Sequence, residues 1–154
     1  MIGHPQVVHF PIALFMVALL FEVVSYFWRK ESFSLTSLIL LSLGTIGAFI
    51  AMQTGESAAE IAKKISGIES TLHEHEEMAE LVFYLYFAVT VIKAILIRLK
   101  KDILPWRLII LIGMIAGTFL VFRVGHYGGQ LVYEWGAGVK PVLEQANTSI
   151  PDEE

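Results

Sequence analysis

The 154-residue sequence contains no cysteine. This excludes disulfides, thiolate metal centres and covalently attached c-type haem, and it leaves the compartment unreadable from redox chemistry. Basic residues are few: 11 Lys and Arg against 15 Asp and Glu give a net charge of -4. Without a basic stripe to meet phosphates, nucleic acid is excluded as a partner. No serine elbow, nucleotide-binding loop or paired carboxylates sit in a recognisable context, so hydrolase chemistry has little support. The stretch HEHEE (His73 to Glu77) is not the HExxH of a zinc protease, which needs its histidines at i and i+4.

What the sequence has instead is apolar length. Hydrophobic residues make up 55% of the chain and the mean hydropathy is +0.64, more than one soluble domain of this size hides. Four apolar segments, 10–28, 35–52, 78–99 and 103–124, each approach the roughly 20 residues that cross hydrocarbon as a helix. The first has no basic stretch before it and exceeds signal-peptide length, so it reads as a retained span. The expected fold is all-α: an integral-membrane, up-and-down four-helix bundle over residues 1–139, followed by a polar acidic tail over 140–154.

Basic residues set the expected orientation. WRK (Trp28 to Lys30) closes the first span and RLKKDILPWR (Arg98 to Arg107) joins the third to the fourth, which places both termini outside the cytoplasm, in a cell inner membrane. The outward connection 54–77 is rich in Glu. Within it, Ala58, Ile61, Ala62 and Ile65 recur at helical spacing and predict a short amphipathic helix on the membrane surface, ended by Gly67. Thr71 with Glu74 resembles a capping box opening the third helix.

All five histidines, His4, His9, His73, His75 and His126, fall at or beyond the outward ends of the spans. From His75, helical steps reach Ala79, Val82, Tyr86 and Val89, an apolar stripe that predicts an inward-facing ring. His9 leads to Ala13, Met16 and Leu20 and is also expected to face inward. His73 leads to Glu76, Glu77 and Glu80, which predicts solvent or an exposed salt bridge. His126 lies beside Gly125, Gly128 and Gly129. The row Gly113, Gly117, Gly125, Gly129, broken by Val121, allows a neighbouring helix or flat ligand to approach the backbone.

HPQVVHFPIAL (His4 to Leu14), HEEMAE (His75 to Glu80) and GGQLVYEWGAGV (Gly128 to Val139) together resemble the domain of unknown function 2231 family, predicted four-helix membrane proteins. The resemblance spans Gly3 to Val139 and implies the fold. Carried over residue by residue, its pattern marks His4, Pro5, His9, Pro11, His75, Gly128, Gly129, Leu131, Val132, Gly136, Gly138 and Val139. Many members have histidine before the Gly-x-Gly-Val. This chain has Trp135 there, which leaves His126 as a substitute.

Two facing imidazoles in a helical bundle can hold a six-coordinate, non-covalent haem, which moves electrons instead of activating oxygen. The expected site is an outward haem b bound by His9 and His75, with His126 and His4 as alternate ligands. Gly128 and Gly129 would give it room, with Tyr127, Tyr133 and Trp135 at its edge. Such a chain is an electron carrier or complex subunit in a respiratory or photosynthetic membrane, not a stand-alone enzyme. A second reading places zinc, copper or iron on three or four histidines with Glu56 or Glu76. A third is a cofactor-free accessory subunit whose apolar faces pack on a larger membrane complex, with small residues on the second helix (Gly44, Gly47, Ala48, Ala51, Gly55) and the fourth suited to tight packing.

Glu22 and Lys93 stand apart. Each lies about 10 Å from a cytoplasmic helix end at 1.5 Å per residue, so they can pair across the first and third helices. From His9, Glu22 is about 20 Å along the axis, outside the outward site.

Overall fold

In hydrocarbon every backbone N–H and C=O must be satisfied within its own segment, so long apolar runs become helices. The computed structural model describes residues 4–28, 30–101 and 103–139. They form four helices: α1 (His4–Trp28), α2 (Glu31–Ala62), α3 (Glu69–Arg98) and α4 (Leu104–Tyr133). Each contains a window with mean hydropathy of at least 2.0, long and apolar enough to cross a membrane. The expected tail, 140–154, lies outside the described residues.

The helices outrun the apolar segments mainly at the histidine end, and there two expectations are corrected. No separate surface helix forms: Ala58, Ile61 and Ala62 belong to the last turns of α2, and Ile65 lies in the turn beyond. Helix α3 begins at Glu69 after Ile68, without side-chain capping, so Thr71 is a helix residue and not a cap. Both departures have one cause. Ala59, Ala62, Ile68, Leu72 and Leu131 bury together in a second apolar cluster, with Ile65, Trp135 and Ala137 against it. Continuing α2 and starting α3 early brings these side chains together, and their burial outweighs one capping bond. Gly67, at φ +88°, makes the reversal between the helices.

Helices α1 and α2 pack as one hairpin, and α3 and α4 as another. The hairpins meet through α2 with α3 and α1 with α4, so α1 and α3 face each other across a diagonal. The buried residues of α1 are Pro11, Phe15, Ala18, Glu22 and Ser25. Adding 71 to each gives Val82, Tyr86, Val89, Lys93 and Leu96, all buried on α3. Both stripes advance by three or four residues, the spacing of a coiled-coil seam. Long side chains close the diagonal. Phe15 and Tyr86 stack with centroids 3.7 Å apart and planes 3° from parallel.

The two hairpins also repeat one contact pattern. In the first, the Phe15 ring lies over Gly44 and the His4 ring over Gly55. In the second, Tyr86 lies over Gly117 and His75 over Gly128. Eleven residues separate ring from ring and glycine from glycine in both. Parallel repeats of this kind are known in membrane folds with an axis along the membrane normal.

Candidate functional site at the histidine end

His4 opens α1 and His75 lies in the second turn of α3, both on the helix extensions beyond the apolar spans. Their positions continue the diagonal seam, and their rings meet edge to face with centroids 6.4 Å apart and planes at 90°. Each ring is tied to the other helix of its own hairpin. His75 Nδ1 lies 3.2 Å from the Val124 carbonyl oxygen, and His4 Nδ1 lies 3.1 Å from Thr54 Oγ1.

These partners fix the tautomers. A carbonyl oxygen only accepts, so His75 Nδ1 carries the proton. Thr54 gives its own hydroxyl proton to the Ala51 carbonyl, 3.0 Å away, so His4 Nδ1 is the donor to Thr54. Both Nε2 atoms thus retain a lone pair, the form in which imidazole binds a metal. Burial pushes both histidines below the usual range. The neighbouring His75 adds to the effect at His4, while backbone hydrogen bonding at Ala51 and Val124 opposes it. Burial therefore favours the neutral form of both rings.

Glycine makes this arrangement possible. A Cβ at Gly55 would stand 3.0 Å from His4 Cε1, and one at Gly128 would stand 3.3 Å from His75 Cε1. Beyond the rings, Trp135 folds back over Gly67 and donates its indole N–H to Thr71 Oγ1 at 3.2 Å. Trp135 therefore closes the end of the bundle.

Several residues singled out in the sequence lie elsewhere. His9 is exposed and does not face His75; its Nδ1 donates to the Pro5 carbonyl at 2.6 Å. The buried stripe of α1 runs through Pro11, Phe15 and Ala18, which turns His9 outward. His126 is also exposed, with its ring 5.7 Å from that of Tyr127. Gly125 and Gly129 have open space where a side chain would stand, so the glycine row does not form one groove. Tyr133 is exposed and Tyr127 partners Arg123. His73 pairs with Glu77 at 3.3 Å on the surface. Thr54, Gly55 and Val124 are the contributors the sequence reading missed. A threonine and a glycine at the end of a helix rich in both carry no distinguishing signal, and a carbonyl carries none.

A second polar layer lies toward the basic end. Lys93 Nζ donates to Glu22 Oε2 at 2.7 Å and to Ser34 Oγ at 3.0 Å, with Glu22 and Lys93 both buried. Arg107 Nη2 donates to the carbonyl and the hydroxyl of Ser25. Eighteen residues of α1 separate His4 from Glu22, about 27 Å along a helix, so the two layers are distinct sites.

Together these features define an integral-membrane four-helix bundle made of two like hairpins, with a paired-histidine layer at one end and a buried ion pair near the other. The chain belongs to the family described as predicted membrane protein (DUF2231), whose profile matches residues 3–141. No curated protein and no solved structure matches it.

Proposed function

We propose that the chain is a membrane-embedded electron-transfer protein that holds haem b between its two hairpins through His4 and His75. The supporting observation is the imidazole pair itself. Two histidines brought together from different hairpins could hold a haem iron between them. The rings lie with centroids 6.4 Å apart, and the Nδ1 hydrogen bonds to Thr54 and Val124 leave both Nε2 lone pairs free of protons. His4 thus takes the place expected for His9.

Bound haem, held by His4 and His75, would supply a one-electron couple. The chain's own groups do the rest. Thr54 and Val124 orient the rings, as outer partners of metal-bound histidine do. Gly55 and Gly128 let the two rings approach the backbone, and burial favours the neutral imidazoles. Ile68, Leu72, Leu131 and Trp135 limit water at the end of the bundle, which favours a stable potential.

The non-haem alternative has less support. Among the described residues no group of three or more His, Asp or Glu side chains could hold a metal ion. A porphyrin brings four nitrogens of its own, so two protein ligands suffice. The small residues Gly44, Gly47 and Gly55, which the accessory-subunit reading gave to tight packing, are filled within the chain by Phe15, Phe10 with Pro11, and His4.

Lys30, Arg98, Lys100 and Lys101 gather at the end opposite the histidines, against Lys63, Lys64 and Arg123 at the histidine end, a balance that favours a histidine end outside the cytoplasm. Reduced-minus-oxidised visible spectra of the purified protein test the proposal. A haem b band that His75→Ala abolishes is expected, and protein that takes up no haem contradicts it.

A further inference from the structure

Among the described residues, the imidazole pair is enclosed on every side but one. Between α2 and α3 the chain itself crosses the histidine end, and Ala59, Ala62, Ile68 and Leu72 bury together there. Within the first hairpin the His4 ring fills the space over Gly55, and Phe10 and Pro11 fill that over Gly47. Within the second, the His75 ring fills the space over Gly128. Trp135, bonded to Thr71 one helical turn before His75, covers the end.

The side between α1 and α4 differs. Helix α1 begins and α4 ends at the histidine end, so no described connection joins them there. Arg107 marks the side of α4 that faces α1, because its guanidinium bonds to Ser25. Gly125 follows Arg107 by eighteen residues, which is five full turns at 3.6 residues per turn, and so lies on that same side. Gly125 is exposed, and no atom stands within 4 Å of the position a Cβ would take at Gly125 or at Gly129. Gly128, between them, touches the His75 ring. The open side of α4 therefore borders the imidazole pair directly, and neither Nε2 has a hydrogen-bond partner among the described residues.

We propose that this side, between α1 and α4 beside Gly125 and Gly129, is the entrance through which haem b reaches His4 and His75. The inference rests on the haem reading above and adds the route to it. A flat, largely apolar ring enters edge first where glycine lets it pass close to the backbone, without parting either hairpin and without displacing Trp135.

The test compares wild type with Gly125→Trp in purified full-length protein in detergent. The indole would occupy the gap from a position where the added Cβ meets nothing. Haem uptake, followed by absorbance after mixing with hemin, should slow about tenfold in Gly125→Trp. Phe119→Trp, on an exposed residue of the same helix, should load at the wild-type rate. Should Gly125→Trp not fold, Gly125→Leu replaces it, with a slowing of about threefold expected. A second readout needs no haem: carbethoxylation of His4 and His75 by diethylpyrocarbonate, mapped by mass spectrometry, should slow in the variant, while exposed His73 and His126 react unchanged. Haem uptake at the wild-type rate in the folded variant overturns the entrance. Wild type that takes up no haem contradicts the haem reading instead, and the reagent then decides the opening alone: equal His4 and His75 rates in both proteins overturn it.

Discussion

Phe15 and Tyr86 stack nearly parallel at 3.7 Å, and the residues of this pair are as far apart in sequence as Glu22 from Lys93 and His4 from His75. One register therefore joins α1 to α3 from the histidine layer to the ion pair. Because α1 and α3 lie on a diagonal, only large side chains bridge them, and the glycines facing those side chains on α2 and α4 allow them to fit.

Glycine substitutions should separate accordingly. A Cβ at Gly44 would stand 2.7 Å from the Phe15 ring, and one at Gly117 would stand 2.7 Å from the Tyr86 ring. Gly44→Ala and Gly117→Ala are expected to destabilise by about 1–3 kcal/mol. Gly125→Ala and Gly129→Ala meet nothing and should be neutral or stabilising by up to about 1 kcal/mol. Thermal unfolding in detergent measures the contrast, and equal effects at all four positions would contradict the packing described.

The ion pair predicts non-additivity. Glu22→Gln or Lys93→Met alone strands a buried partner and should cost roughly 3–5 kcal/mol, while the double variant should recover most of the loss. A double-mutant cycle on unfolding free energy decides it. A Glu22→Gln protein with wild-type stability would refute a structural role for the pair.

The four long apolar helices and the pairing of Glu22 with Lys93 were readable from the sequence because hydrophobicity and helical rise report position along a helix directly. The inward face of α3 was readable because Ala79, Val82, Tyr86 and Val89 form an uninterrupted apolar stripe. The face of α1 was not, since α1 is apolar nearly all round and His9 has apolar helical neighbours as convincing as those of His75. Only the partner helix distinguishes them: Gly55 and Thr54 receive His4, and nothing equivalent receives His9. The surface helix was misplaced for a related reason. Its spacing was helical, but whether α2 stops or continues depends on Ile68, Leu72 and Leu131, distant in sequence.

In the haem-free chain, acid should weaken the histidine end. Burial holds His4 and His75 below the usual histidine value, so the unfolded chain binds their protons more readily than the folded one. Stability from these groups is complete above about pH 6.5 and is lost as pH falls toward their lowered folded values. Melting temperature should drop between pH 7 and pH 5.5, above the range where most carboxylates titrate. A His4→Gln, His75→Gln protein should lose most of that slope, and an unchanged slope would assign it to other groups.

The most direct measurement is the reduced-minus-oxidised visible spectrum of purified protein compared across four variants. His4→Ala and His75→Ala should each abolish or shift the haem b band, whereas His9→Ala and His126→Ala, on exposed rings, should leave it intact. Wild-type protein without a haem band, or a band that survives both His4→Ala and His75→Ala unchanged, would contradict the account.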